Sequence, residues 1–147
     1  MRIAVGSDHA GFHLKNTLRE WLLSEGHEVE DVGTFTAERA DYPVFGAAAA
    51  AKVANGDAQF GVVVCGSGQG ICMAANKVAG VRGAVIRDEQ DAQMSRLHND
   101  ANVACFGERV TDSETAIDAL RVFLATEFEG GRHQVRVDLL GELDQNN

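Results

Sequence analysis

Short runs of apolar and β-branched residues alternate with longer amphipathic stretches along the whole sequence. This alternation is typical of repeated strand–helix units, in which parallel strands form one sheet covered by helices. At 147 residues, the chain has the size of one domain with a substantial core. We therefore predict a single α/β domain with a mostly parallel five-stranded sheet. Its strands are predicted at residues 2–7, 28–32, 61–65, 81–86 and 102–106.

The stretch after the first predicted strand has the spacing of a surface helix that packs on a sheet. Its apolar face is predicted to consist of Phe12, Leu14, Leu18, Trp21 and Leu22. Its polar face is predicted to consist of Lys15, Asn16, Arg19 and Glu20. Further helices are predicted over residues 43–54, 89–97 and 113–127, the last with Ser113 as its N-cap. Residues 129–147 look like an arm outside the core.

Composition and charge argue against several classes of protein. The three cysteines form no Cys-x-x-Cys pair, which disfavours a disulfide framework and a structural zinc site. The net charge of −9 disfavours binding to nucleic acid or to anionic lipid. No secretion signal and no run of about 18 apolar residues is present. We therefore expect a cytoplasmic protein that binds neither nucleic acid nor membranes, with a local basic cluster at residues 130–136.

Ligands of open parallel sheets bind at the carboxyl ends of the strands. The most informative of these ends is Cys65, which a glycine-rich turn at residues 66–70 follows. Amides of such a turn can hold an anion or a developing oxyanion, and the helix behind it favours a thiolate. From the spacing alone, Cys65 is either a reactive thiol or a small residue that fills the core. Cys72 and Cys105 fit the description of buried apolar residues.

A dinucleotide site is the alternative for this turn, with Asp88 about 20 residues further on as the ribose-binding acid. The fingerprint G-x-G-x-x-G does not fit, because Gly70 comes one residue early and Ile71 stands in its place. A phosphate-binding P-loop is also disfavoured, since no Gly-Lys-Ser/Thr follows the glycines. The spacing therefore argues against a nicotinamide-dependent oxidoreductase.

Polar residues near other predicted element ends each allow two interpretations. Asp8 and His9 suit proton transfer or hydroxyl recognition, or else form a helix N-cap and a solvent-facing side chain. His98 is an acid or base, or a helix C-cap. Arg132 and Arg136 lie four residues apart. On a helix they would present two guanidinium groups to one phosphate, or form a solvated basic face.

Six motifs together resemble the ribose-5-phosphate isomerase B family, which includes galactose-6-phosphate and allose-6-phosphate isomerases. They are GSDHAG at 6–11, ERADYP at 38–43, CGSG at 65–68, AANK at 74–77, SRLHNDAN at 95–102 and EGGRH at 129–133. The resemblance implies a Rossmann-like three-layer α/β/α fold and a homodimer or a dimer of dimers. It also implies active sites shared between subunits, with the arm at residues 129–147 contacting the partner.

The resemblance implies roles for individual residues as well. Cys65 would move a proton between C2 and C1 of the sugar through an enediolate, assisted by Ser67, with the amides of residues 66–70 as an oxyanion hole. His98 would open the sugar ring, while Asp8 engages its oxygens. The other expected substrate and phosphate contacts are His9, Tyr42, Gly66, Gly68, Gly70, Asn99, Arg109, Arg132 and Arg136. No metal and no organic cofactor is implied.

One branch of the family uses a glutamate in the glycine-rich loop, but the presence of Cys65 and Ile71 matches the cysteine branch. The leading hypothesis is a cofactor-free aldose–ketose isomerase that interconverts D-ribose 5-phosphate and D-ribulose 5-phosphate. The same chemistry on a tetrulose 4-phosphate, allose 6-phosphate or galactose 6-phosphate stays open. A non-catalytic sugar-phosphate-binding domain is the alternative from another class, and Cys65, Ser67 and His98 argue against it.

Overall fold

The computed structural model describes residues 1–145, whose five strands form one parallel sheet. The strands are β1 (Arg2–Ser7), β2 (Glu28–Asp31), β3 (Phe60–Cys65), β4 (Gly83–Val85) and β5 (Val103–Gly107). Their order is β2-β1-β3-β5-β4, and each neighbouring pair is parallel. The helices of this part of the chain are α1 (Phe12–Ser24), α2 (Tyr42–Ala54), α3 (Gln69–Ala75), α4 (Glu89–Asn99), α5 (Ser113–Ala125) and α6 (Arg132–Gln145).

The sheet lies between two layers of helices, because its central strands β1, β3 and β5 are buried on both faces. Val62 and Val64 of β3 pack with α1, α4 and α5 on one side. Val63 and Cys65 of the same strand pack with α2 and α3 on the other. Strands buried on both faces are typical of parallel sheets. The predicted three-layer α/β/α fold is confirmed.

Lys15 does not lie on the polar face of α1, and this prediction was wrong. Its side chain is only 1% exposed, and its Nζ donates to the Asp31 carboxylate at 2.9 Å and to the Thr34 carbonyl oxygen. The rings of Phe12 and Phe35 flank the ammonium group. A lysine can be buried in this way because its stem is apolar and its charge is paired.

The start of α5 also differs from the prediction. Asp112, not Ser113, is the N-cap, and its carboxylate accepts a hydrogen bond from the Thr115 amide at 2.8 Å. Ser113 is the first helical residue, and the helix ends at Ala125 rather than at residue 127. Serine and aspartate are both good N-caps, so the sequence alone did not show whether Asp112 or Ser113 caps α5.

The predicted C-terminal arm is mostly the helix α6, which contacts α4. Asp144 accepts a hydrogen bond from the Gly80 amide at 2.7 Å and so fixes the far end of α6. Residues 146 and 147 of the predicted arm lie outside the described residues. None of the helices within residues 1–145 has the length and apolar character needed to cross a bilayer. Several apolar side chains of α6 are exposed, namely Val135, Leu139, Leu140 and Leu143.

The edge of the sheet at β4 is covered at one point by a side chain. The Asn76 amide, just after α3, donates from Nδ2 to the Gly83 carbonyl at 3.0 Å. Its Oδ1 accepts a hydrogen bond from the Gly83 amide at 2.7 Å. Gly83 therefore has both of its backbone groups paired with one side chain.

Candidate active site

A cavity of about 350 Å³ opens at the carboxyl ends of β1, β3 and β5. We call it the strand-end cavity. Most of the predicted site residues meet there, as expected for a parallel sheet. Its lining consists of Asp8, His9, Ala10, Tyr42, Cys65, Gly66, Ser67, Gly70, Arg109 and Val110.

Cys65 is the last residue of β3 and lies at the floor of this cavity. Its side chain is 4% exposed, and its Sγ accepts a hydrogen bond from the Gly68 amide at 3.2 Å. Gly68 has a φ of +81°, a conformation that side chains other than glycine rarely adopt. The loop therefore folds back so that the Gly68 N–H points at the Cys65 sulfur.

The next side chain in the loop, Ser67, places a hydroxyl group beside the thiol. Its Oγ accepts a hydrogen bond from the Gln69 amide at 3.2 Å. The amides of Gly68 and Gln69 thus already donate to side chains of the loop, so the expected oxyanion hole depends on the amides of residues 66, 67 and 70. Gly107 of β5 allows the loop to lie close to this strand, because a Cβ on Gly107 would lie only 2.5 Å from the Ser67 carbonyl carbon.

Asp8 and His9 follow β1 directly. Asp8 is 6% exposed, and its Oδ1 accepts a hydrogen bond from the Gly11 amide at 3.0 Å. The N-cap of α1 is Gly11 rather than Asp8, so the predicted capping alternative is replaced by a tight turn. The Nδ1 of His9 lies 3.0 Å from the carbonyl oxygen of Ala40, which leaves Nε2 as the nitrogen with which His9 can bind a ligand.

Two glycines let larger side chains approach the loop closely. A Cβ on Gly70 would lie 2.8 Å from the ring of Tyr42, and one on Gly66 would lie 3.0 Å from Nη1 of Arg109. Tyr42 thereby forms one wall of the cavity. Arg109 places a fixed positive charge at the cavity in a chain whose net charge is −9.

The other predicted site residues form a second group around the end of α4. We call His98, Glu129, Arg132, His133 and Arg136 the histidine–arginine cluster. The rings of His98 and His133 are stacked, with centroids 4.3 Å apart and planes inclined by 19°. The Glu129 amide donates to the Leu97 carbonyl, and its carboxylate lies 4.0 Å from Nε2 of His98.

His133 was not among the predicted site residues, although it belongs to the EGGRH motif. It is 5% exposed, and its Nε2 has no hydrogen-bond partner within the described residues. Burial and the positive charges of His98, Arg132 and Arg136 lower its pKa, against a smaller opposing effect of Glu129. These surroundings favour the neutral form of the His133 imidazole.

His98, Glu129 and His133 offer potential metal-ligand atoms that lie within 4.8 Å of one another. Metal–nitrogen bonds of about 2.0 Å require the lone pairs of the two imidazoles to converge on one point. The lone pairs lie in the ring planes, and because the stacked rings are inclined by only 19°, these are two separate and nearly parallel planes. The neighbouring Arg132 and Arg136 repel a cation. This arrangement suits an anion better than a metal ion.

The histidine–arginine cluster and the strand-end cavity lie at opposite ends of the strands. Helix α4 begins after the carboxyl end of β4 and leads back to the amino end of β5. Its 11 residues span about 16 Å at roughly 1.5 Å per residue. His98 lies at the far end of this helix from Cys65, and Asn99 lines a separate cavity of about 500 Å³ beside α6. One chain therefore divides the predicted site residues into two groups.

Glu108 supports the strand-end cavity and was missed by the sequence analysis. Its Oε1 accepts a hydrogen bond from the Leu14 amide at 2.7 Å and so satisfies the first turn of α1 from outside the helix. These residues are 94 positions apart, and no local pattern signals such a contact. Glu108 fixes the segment between Gly107 and Arg109 against α1.

Comparison with known proteins identifies the family. The family model described as Ribose/Galactose Isomerase matches residues 3–140. The chain belongs to this family. Ribose-5-phosphate isomerase B of Escherichia coli (strain K12) is 44% identical over 144 residues, which cover 98% of this chain and 97% of that protein. The galactose-6-phosphate isomerase subunit LacB of Clostridium acetobutylicum is 39% identical, covering 100% of this chain and 86% of that protein.

A solved structure of ribose-5-phosphate isomerase B from Clostridium thermocellum has the same fold. Its TM-score to this chain is 0.98 at 46% sequence identity, and the match covers 99% of each chain. The family resemblance found in the sequence motifs is thus confirmed. The chain is an isomerase of this family.

Proposed function

We propose that this chain interconverts D-ribose 5-phosphate and D-ribulose 5-phosphate, with Cys65 as the base. The observation that carries the proposal is the Cys65 thiol at the floor of the strand-end cavity, with the Gly68 amide directed at its sulfur. The relatives named ribose-5-phosphate isomerase B support the choice of a five-carbon substrate, since they match this chain over nearly its full length.

The reaction needs one group that carries a proton between adjacent carbons. The Cys65 thiolate takes the proton from C2 of the open-chain aldose, and the electron pair left behind forms the double bond of an enediolate. The resulting thiol returns the proton to C1, and the hydroxyl proton moves from O2 to O1, which completes the ketose. Negative charge develops on the sugar oxygens only along this path, where the Ser67 hydroxyl and the amides of Gly66 and Gly70 stabilise it.

We further propose that a second copy of the chain supplies His98, Asn99, Arg132 and Arg136 to the strand-end cavity. Helix α4, about 16 Å long, leads from the carboxyl end of β4 back to the amino end of β5, which places the two groups at opposite ends of the strands, too far apart to share one small sugar within a single chain. The exposed apolar side chains of α6, next to the histidine–arginine cluster, favour burial against another copy. Arg132 and Arg136 then bind the phosphate, and His98 opens the sugar ring.

Solvent isotope exchange tests the role of Cys65. During turnover in D₂O, the wild-type protein should introduce deuterium at C1 of ribulose 5-phosphate, measured by NMR. Cys65→Ala should abolish this exchange while binding of the sugar phosphate stays measurable by calorimetry. Cys72→Ala is the matched control, because it removes a thiol that does not line the strand-end cavity.

Exchange that persists in Cys65→Ala would exclude Cys65 as the base. The substrate is tested separately, by comparing kcat/KM for four-, five- and six-carbon phosphosugars. A higher kcat/KM for a four- or six-carbon sugar than for ribose 5-phosphate would contradict the proposed substrate and leave the proton-transfer chemistry intact.

A further inference from the structure

A buried arginine lies near the end of α4, two residues before His98. Arg96 is only 7% exposed. Its guanidinium carbon lies 4.9 Å from the ring centroid of Phe60 and 5.7 Å from that of Phe123. These two rings belong to the core between the sheet and the helices α1, α4 and α5. The charge of Arg96 is therefore fixed at one place against the core.

The guanidinium group of Arg96 binds oxygen atoms on two separate stretches of chain. Its Nη1 donates to the Asp100 carboxylate at 2.8 Å and to the Ala101 carbonyl at 2.7 Å, directly after α4. Its Nε donates to the Thr126 carbonyl at 3.0 Å, directly after α5. Arg96 thus joins the end of α4 to the segment 126–131, which leads into α6.

The first of these stretches contains an uncommon backbone conformation. Asp100 has a φ of +48°, in the left-handed region that residues other than glycine seldom adopt. This conformation ends α4 directly after His98 and Asn99. Arg96 binds one carboxylate oxygen of Asp100, and Arg82 binds the other at 3.3 Å. The direction in which α4 ends is therefore fixed from two sides.

The second stretch packs around the side chain of His98. The Glu129 amide donates to the Leu97 carbonyl at 3.1 Å, and the Glu129 carboxylate lies 4.0 Å from Nε2 of His98. The ring of His133 stacks on that of His98 at a centroid distance of 4.3 Å. The surroundings of His98 thus depend on the distance between α4 and the segment after α5, which Arg96 bridges.

We propose that Arg96 is a positioning residue for ring opening, which holds His98 and Asn99 in the orientation in which they act on the sugar. This role of Arg96 rests on the proposed function, in which His98 opens the ring. Stability alone does not require an arginine here, because apolar residues of similar volume are often as stabilising as a buried ion pair. A lysine keeps the charge but donates from a single nitrogen, whereas Arg96 reaches Thr126 from Nε and Asp100 from Nη1.

Two reactions of the same protein separate ring opening from proton transfer. Ribose 5-phosphate is mostly a furanose, which must open before Cys65 can act on it. Ribulose 5-phosphate cannot close such a ring, because its C5 oxygen carries the phosphate. Deuterium exchange at C1 of ribulose 5-phosphate in D₂O therefore needs Cys65 but not His98, whereas conversion of ribose 5-phosphate needs both.

Arg96→Lys should lower kcat/KM for ribose 5-phosphate by about tenfold and leave the C1 exchange rate within about twofold of the wild-type value, because a small displacement of a catalytic group is costly. Steady-state kinetics and NMR measure the two rates. His98→Asn should show the same selective loss to a larger degree. Asp100→Asn keeps Arg96 but weakens its ion pair, and should show the loss to a smaller degree.

Leu120→Ala is the matched control for lost stability. It opens a cavity in the core cluster that contains Phe60 and Phe123, and should lower the melting temperature without a selective loss of ribose 5-phosphate conversion. Calorimetry of each variant ensures that both rates are measured on folded protein.

An equal loss of both rates in Arg96→Lys would overturn the positioning role, since it would match a merely structural effect. Unchanged conversion of ribose 5-phosphate in that variant would overturn it as well. In both cases, the wild-type protein and His98→Asn still behave as expected. If instead the wild-type protein introduces no deuterium, or His98→Asn converts ribose 5-phosphate normally, the proposed function fails and the role of Arg96 fails with it.

Discussion

At the residue scale, the strand-end cavity depends on side chains that are absent. Gly70 leaves room for the ring of Tyr42, and Gly107 leaves room for the backbone at Ser67. The two close contacts differ in whether the neighbouring group can move away from an added Cβ. Tyr42 is 40% exposed and can swing outward, whereas the loop at Ser67 is backbone between fixed elements. A methyl group at Gly70 therefore changes the cavity without unfolding the chain.

Gly70→Ala should raise KM for the sugar phosphate several-fold and leave the melting temperature almost unchanged, because the added methyl group displaces only the Tyr42 ring. Steady-state kinetics and calorimetry measure the two quantities. Gly141→Ala is the control, since nothing lies within 4 Å of its added Cβ. An unchanged KM in Gly70→Ala would remove the Tyr42 ring from substrate binding.

The buried Lys15 gives a second prediction at this scale. Lys15→Met should lower the free energy of unfolding by about 3 kcal/mol, because it leaves the Asp31 carboxylate without its buried partner. Arg19, 3.8 Å from the same carboxylate, keeps the loss at the lower end of the usual range. Urea denaturation measures it. Lys52→Met breaks a pair of similar length with Glu30 at the surface and should cause no comparable loss.

Lys15 and Glu108 also show why sequence reasoning fails at some positions. A lysine on a surface helix is usually solvated, and only the position of Asp31 on β2 decides otherwise for Lys15. Glu108 acts on a helix that is distant in sequence. Cys65, Asp8 and Arg109, in contrast, lie at or just after the carboxyl ends of strands, so the topology of a parallel sheet was enough to bring them together.

At the scale of elements, the N-cap of α5 couples stability to pH. The hydrogen bond from the Thr115 amide lowers the pKa of Asp112 in the folded chain. A lowered folded-state pKa means that this stabilisation is fully present above the unfolded pKa of about 3.9. It is lost as the pH falls through the lower folded-state value.

Asp112→Ala should therefore lower the melting temperature at neutral pH, and the difference from the wild-type protein should shrink in acid. Thermal denaturation between neutral pH and strongly acidic pH measures both effects. Ser113→Ala is the matched control and should change little, because Ser113 lies inside the first turn. A larger effect of Ser113→Ala would restore the serine as the cap.

Of the five predicted strands, all except β4 agree with the structure to within one residue at each end. The strand predicted at residues 61–65 differs from β3 by one residue, since a fully buried strand has a continuous apolar run. The strand predicted at residues 81–86 is twice as long as the observed strand β4. Only Gly83–Val85 pairs in the sheet, because β4 lies at an edge and has one neighbour, β5.

At the scale of the whole molecule, the site residues are divided between the two ends of the strands. This division makes the shared site testable by complementation. Cys65→Ala and His98→Asn should each be inactive. Dimers that contain one copy of each variant should regain one intact site of two, so a random mixture should show about a quarter of the wild-type activity. Co-expression of two differently tagged chains and a sugar-phosphate assay measure this.

The control pairs two variants of the same cavity, Cys65→Ala and Asp8→Asn. In each mixed dimer of this control, both cavities are damaged, one by each variant, so no activity should return. Recovery in the control, or none in purified mixed dimers of the first pair, would contradict a site shared between copies. The motifs indicated the residues of such a site, but not that one chain places them at opposite ends of the strands.

The pairing of Asn76 with Gly83 has a consequence for solubility. A carboxamide carries the same donor and acceptor as a peptide group, so Asn76 acts at the outer edge of β4 as one residue of a sixth strand would. An exposed strand edge is a template on which other chains add strands and aggregate. The three residues of β4 are too few to offer such a template once Gly83 is occupied. The sheet thus ends in a short strand that the chain closes with its own side chain.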